Sequence, residues 1–419
     1  MGPRREICNR PRSVATSSTL RGWYVVAAAF LTLLLTVGVP FYGMPFFYDY
    51  FMRDFGWSRA QTTSGIALAT ILVQPVAGLM AHRFSPRVLI GCGAVLLMLS
   101  LMSFGAGNGS LLVYYFSWCL FMAGYVCSGP LPHQVLMAQW FRRKRGLAMG
   151  IMYLGLGIGG AISQKYIALP LILEYGWRTA LVVMGISMLL VIPLLIWVVR
   201  DTPQQLGLLP DGDGVPPTAQ VRDALPFHAL LRRPAFWLLA AGSSASIGAI
   251  GSVNQHMKLL FQDAGLTSAT VANTTFLILV SSLAGRLVMG WLADIYPKKF
   301  VMLAAFLFIA LPMPLLLVIH RAGAPELFAL VFGFGLGADF MLIPLMAAQL
   351  FGANSLARSM GIILPLDSIG QTCFPVLLGF LRDRSGSYTA GVMLVGALAL
   401  TGAAVVACLP RPRQEEAFL

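Results

Sequence analysis

Twelve long apolar runs dominate this chain. They cover approximately residues 22–50, 60–81, 88–106, 111–141, 147–173, 178–199, 236–260, 268–293, 300–319, 326–350, 358–381 and 389–409. A helix rising about 1.5 Å per residue crosses the hydrocarbon of a bilayer in about 20 apolar residues. Strand-like alternation is missing, so a β-barrel is excluded. Pro and Gly interrupt many of the runs, as membrane helices tolerate when neighbours re-satisfy the backbone. Composition agrees: 58% of the 419 residues are apolar and only 11% are charged. Soluble domains carry about 25% charged residues. These numbers exclude a disordered chain, a coiled coil and a basic nucleic-acid-binding protein.

The net charge is +13, and its distribution matters more than its size. With the N-terminus placed inside, the inside segments hold 20 of the 29 Lys and Arg, the outside segments hold 7, and Lys165 and Arg286 fall within spans. Lys and Arg accumulate in cytoplasmic loops. The expectation is therefore a multi-pass membrane protein with both termini cytoplasmic. The polar first 21 residues, followed by an apolar run too long for an h-region, read as a tail and not a cleavable signal peptide. The six cysteines (Cys8, Cys92, Cys119, Cys127, Cys373 and Cys408) are scattered without metal-type spacing, so they read as small core residues and no metal site is expected.

The longest polar stretch, 200–235, carries six prolines, Pro203, Pro210, Pro216, Pro217 and Pro226 among them, and several charges. It reads as a cytoplasmic linker. The expected organisation is a tail over 1–21, a six-helix bundle over 22–199, the linker over 200–235, a second six-helix bundle over 236–409 and a tail over 410–419. The halves also echo each other. Gly78, His82, Arg83 and Arg87 after run 2 correspond to Gly290, Asp294, Lys298 and Lys299 after run 8, with a polar residue four positions after the glycine and a basic one five later still. Arg145-Gly146 before run 5 echoes Arg358 to Gly361 before run 11. Repeated six-helix halves are a transporter plan, with the substrate site between them near the midplane.

The 290–299 motif resembles the cytoplasmic loop motif of the major facilitator superfamily. Phe141 to Gly150, Tyr175-Gly176-Trp177-Arg178 and Gln205 to Gly212 resemble, more narrowly, the bacterial branch of the monocarboxylate porter and oxalate:formate antiporter families. The resemblance spans about residues 20–410. It implies an all-α membrane fold of twelve transmembrane helices in two pseudo-symmetric bundles. It also implies alternating-access transport of a small organic anion, coupled to protons or by anion exchange, in the bacterial inner membrane, by a monomer with no cofactor and no nucleic-acid partner. Several positions depart from the family pattern. His82 stands where the loop motif usually has Asp. Phe41-Tyr42-Gly43 stands where proton-coupled animal members carry a Lys. Ser282 replaces an Asp one turn before the helix 8 Arg, and the helix 11 Lys of oxalate exchangers has its counterpart near Asp367.

A charge at mid-membrane costs about 3 kcal/mol on insertion scales. Lys165, Arg286, Asp339 and Asp367 should therefore face a cavity or one another. Arg286 can hold a carboxylate with its planar fork, or it can form a structural ion pair with Asp367 or Asp339. Those two acids are candidates for the coupling proton or for permanent partners of a base. Lys165 either attracts anions or snorkels to an interface. His133, just after Pro130 and Pro132 in run 4, either relays protons or packs as a satisfied histidine. Tyr42 is a candidate lining residue. Gly78, Arg83, Arg87, Gly290, Asp294, Lys298 and Arg145 read as state latches, Asp294 against basic residues one loop away; the plainer reading is a positive-inside flank. No metal-ligand set or nucleophile–base pair supports an enzyme. The competing reading is a proton-driven exporter of neutral or cationic amphipathic compounds, with Asp339 and Asp367 as its cation-binding acids.

Overall fold

The computed structural model describes residues 12–80, 83–212 and 224–410. Among them every regular element is helical. Twelve helices cross the bundle. We number them α1 (Leu20–Phe55), α2 (Arg59–Met80), α3 (Pro86–Gly105), α4 (Leu111–Trp140), α5 (145–175), α6 (177–197), α7 (Pro234–Asp263), α8 (Ser268–Ile295), α9 (Lys298–Val318), α10 (Ala324–Phe351), α11 (Leu356–Ser385) and α12 (Thr389–Ala407). An even number of crossings puts both ends on one side, here called the terminal face; the opposite side is the far face. His82, the basic residues 4–10 of the N-terminal tail, Arg222, Arg411 and Arg413 lie outside the described residues.

Local chemistry sets the boundaries. Proline opens α3, the second part of α4 and α7, where its missing N–H is one of the four that a first turn leaves unpaired anyway. Gly176 separates α5 from α6 because its φ of 80° is open to glycine at little cost. Several spans are irregular, α6 and α9 among them with 3-10 turns at Met188–Leu190 and Met313–Val318. A π turn at Leu34–Gly38 and a 3-10 turn at Met44–Phe47 break α1 beside Pro40 and Pro45. Another π turn at Ser163–Ala168 precedes Pro170 in α5. Helix α4 breaks at Gly129, ahead of Pro130 and Pro132. Proline removes a ladder donor and clashes with the carbonyl four residues back, so these breaks have a direct cause.

Packing repeats between the halves. Helix α1 packs on α5 as α7 packs on α11. Helix α2 packs on α4 as α8 does on α10, and α3 on α6 as α9 does on α12. The two bundles meet where α5 touches α8 and where α2 touches α11, again a symmetric pair, with smaller contacts of α5 on α10 and α4 on α11. Between the bundles, residues 203–212 form two short 3-10 turns and Phe227–Leu231 a short helix.

Candidate functional site

The site is set by how closely α5 can approach α8. At about 100° per residue, Gly146, Gly150, Tyr153 and Gly157 fall on one face of α5. A methyl group on Gly146 would meet the Gly290 carbonyl at 2.2 Å, and one on Gly150 would meet the Arg286 carbonyl at 2.5 Å. The backbones therefore touch, as small residues permit in membrane helices. Gly155 and Gly159 point the other way, onto α1 at Phe30 and Gly38. The glycine run thus serves two interfaces at once.

Arg286 leaves α8 at this contact and lays its guanidinium over Gly157, where a Cβ would sit 2.0 Å from Nη1. The residue is 8% exposed, and Nη1 is buried with no hydrogen-bond partner. The phenols of Tyr42 and Tyr153 lie within charge range of it. Tyr153 is buried; it takes a hydrogen bond from Gln134 Nε2 at 2.5 Å and donates to the Phe340 carbonyl at 3.3 Å, bridging the bundles. The ion pairs among the described residues include Arg53–Asp54, Arg382–Asp263 and Arg382–Asp383. Arg286 enters none of them, so its pairing with Asp367 or Asp339 is not formed.

The two acids are held instead by serines of α7. Ser246 Oγ donates to Asp339 Oδ1 at 2.8 Å. Ser243 Oγ donates to Asp367 Oδ1 at 2.6 Å, and Ser244 Oγ donates to the same oxygen at 3.2 Å. Ser243 and Ser246 are three apart, hence neighbours on one helix face. Asp339 and Asp367 are 0% and 3% exposed, within charge range of each other, and each leaves Oδ2 without a partner. The Gly242-Ser243-Ser244-Ala245-Ser246 run was the sequence signal for this cradle; a hydroxyl on an apolar span is easily passed over.

A cavity with about 90 Å³ of free volume lies between the bundles. Pro130 and Gln134 of α4, Tyr153 of α5, Ile247 of α7, Phe340 of α10 and Asp367 of α11 line it. Arg286 is not among its lining residues; Tyr153 links the two places. His133 is next to Gln134, fully buried, with Nδ1 on the Gly129 carbonyl at 2.8 Å and Nε2 unpartnered. The carbonyl can only accept, so Nδ1 carries the proton and Nε2 offers a lone pair. Tyr42 is 43% exposed and packs on Gly160, on the far side of Arg286. Lys165 is exposed in the π turn of α5, its ammonium 5.2 Å from the Tyr166 ring centre. The structure thus brings Arg286, Tyr153 and Tyr42 together at one place, and Asp339 and Asp367 at a second. Lys165 meets neither group through any described hydrogen bond or ion pair.

Comparison with known proteins decides the family. The sequence profile described as Major Facilitator Superfamily matches residues 25–322 and 259–418. The chain belongs to the major facilitator superfamily. Human Monocarboxylate transporter 11 is 29% identical over 93% of this chain and 83% of its own length. Monocarboxylate transporter 13 of Bos taurus is 27% identical over 93% of this chain and 89% of its own length. Among solved structures, the superfamily transporter FucP in the outward conformation superposes with a TM-score of 0.68 at 16% identity, covering 94% of this chain and 99% of that one. This superfamily member is an integral multi-pass membrane transporter and not an enzyme.

In this superfamily member the loop motif at the end of α8 meets backbone, not the basic side chains the sequence suggested. Asp294 accepts from the amides of Gly146 at 2.6 Å and Leu147 at 2.8 Å. Those are first-turn amides of α5, which have no partner inside the helix and sit at its positive dipole end. Lys298 and Arg145 share the neighbourhood, and Arg145 spends its donors on the carbonyls of Phe141 and Ala138. In the first half, Arg87 donates its amide to Asp201 at 2.8 Å, Arg83 is exposed, and Gly78 lies within α2. Gln139 Nε2 donates to Asn354 Oδ1 at 3.1 Å, a second bond between bundles on the terminal face.

Proposed function

We propose that this chain moves a small organic anion of the monocarboxylate kind by alternating access, with Arg286 as the anion clamp. The observation that carries the reading is the buried guanidinium without an acid. It sits where α5 of one bundle meets α8 of the other, and Nη1 has no protein partner. A bare cation there costs several kcal/mol, which a ligand carboxylate would offset by engaging the fork. The names of the relatives favour the same cargo.

Asp367 is our candidate for the coupling proton, with Asp339 behind it; exchange of one anion for another is the other coupling that this site permits. Asp367 reaches the cavity between the bundles, so its charge state can follow the contents of that cavity. His133 and Tyr42 are further candidate contacts, and Lys165 a candidate for attracting anions on the approach. We place the termini and the 200–235 linker in the cytoplasm of a bacterial cell, with bundles over 22–199 and 236–409, on the strength of the basic-residue bias. The working unit is taken to be a monomer.

Uptake into proteoliposomes tests the reading. Arg286→Ala should abolish carboxylate flux, and Asp367→Asn should uncouple it from the pH gradient. Unchanged carboxylate flux in both variants would remove the mechanism. A second reading draws on Asp367 lining a cavity rich in apolar side chains such as Ile247, Phe340 and Leu364: export of neutral or cationic amphiphiles. Flux of a lipophilic cation, blocked in Asp367→Asn but not in Arg286→Ala, would favour it.

A further inference from the structure

The motif from Gln205 to Gly212 plays no part in the transport site, yet its aspartate meets three backbone amides on the terminal face. Asp211 Oδ2 accepts from the amides of Arg142 at 2.7 Å and Arg143 at 2.6 Å, and Oδ1 takes that of Lys144 at 3.4 Å. Beyond Arg145, the amides of Gly146 and Leu147 belong to Asp294. One stretch of backbone, 142–147, is thus shared by a carboxylate of the linker and a carboxylate of the opposite bundle. Asp211 holds its place against strain. Its φ of 57° is the one left-handed non-glycine value among the described residues, a backbone conformation that carries a steric cost for any L side chain.

The other end of the linker grips the symmetric helix. Leu225 N donates to Ser355 Oγ at 2.9 Å, and Arg358 Nη1 donates to the carbonyls of Ala224 and Leu225, each at 3.0 Å. Those residues open α11, the partner of α5 in the repeat. In the second half an acid, Asp294, reaches the first turn of α5. In the first half the corresponding position is His82, which supplies no carboxylate.

We propose that Asp211 is a positioning residue of the transport cycle. It holds the 142–144 turn so that the first amides of α5 meet Asp294, which makes the linker part of the latch closing the terminal face. Asp211 follows α6 in the chain and stays with the first bundle. Asp294 is the partner that leaves when the face opens. The two carboxylates repel each other, and Arg145, in charge range of both, offsets that repulsion.

Amide-resolved hydrogen exchange on the full chain in lipid nanodiscs, without substrate, tests this. Asp211→Ala should speed exchange at 142–144 and also at 146–147, each by about tenfold, the worth of a hydrogen bond to a charged group. Asp211→Asn keeps one acceptor oxygen and should give a smaller rise of the same sign at both groups; it also serves if the alanine variant does not fold. Asp294→Asn should speed 146–147 alone. Exchange at 146–147 that stays unchanged or slows in the Asp211 variants, while 142–144 changes, would reduce Asp211 to a local cap and overturn the proposal. No substrate enters the experiment, so its failure is separate from failure of the anion reading.

Discussion

Gly157→Ala is the sharpest single test of where the Arg286 guanidinium must lie. The added methyl would stand 2.0 Å from Nη1 and 3.0 Å from Leu283 Cδ2, whereas ordinary contact begins at 3.4 Å. The guanidinium must therefore retreat by about 1.4 Å. What moves is the far end of a flexible side chain, so the fold should survive with little change in Tm. Misplacement of a positioning group by about 1 Å costs up to about 100-fold in a tuned site. Carboxylate uptake by proteoliposomes should fall between about tenfold and 100-fold on that scale. Gly150→Ala is the control. Its methyl would meet the Arg286 backbone carbonyl at 2.5 Å, which cannot swing aside. The helices must part, at an overpacking cost of about 1–3 kcal/mol, and Tm in detergent should fall by a few degrees. If Gly157→Ala transports carboxylate as wild type does while Gly150→Ala behaves as stated, the position of the guanidinium is irrelevant to transport and the clamp is wrong.

Other outcomes follow from the same geometry. Asp367→Asn should lose accumulation driven by a pH gradient but keep counterflow exchange; loss of both, or retention of both, refutes its coupling role. Arg286→Lys keeps the charge but loses the fork, and its carboxylate KM should rise by about tenfold, the scale of one charge-assisted hydrogen bond. Trp177→Phe keeps the ring against Phe51 and Phe55 but deprives Asp54 of an N–H donor at 2.8 Å. It should cost about 1 kcal/mol and lower Tm with transport intact; impaired transport at unchanged Tm would contradict that structural role.

Twelve spans, two repeated halves and four intramembrane charges were legible in the chain itself. Hydrocarbon demands long apolar helices wherever they end up, so that signal needs no knowledge of neighbours. Which charges meet is another matter. Arg286, Asp339 and Asp367 look like natural partners by depth along their helices, but depth leaves the rotation of each helix undetermined. Packing sets that rotation: Gly157 turns the guanidinium onto α5, and Ser243 and Ser246 draw the acids onto α7. The loop motif of α8 shows the same limit, since Asp294 finds amides exposed at the start of α5, and an amide carries no mark in the sequence. Composition determined the solvent and the class of fold, because transfer free energy adds residue by residue. Tertiary structure alone decided the partners, because a hydrogen bond depends on direction and on distances that only packed helices define.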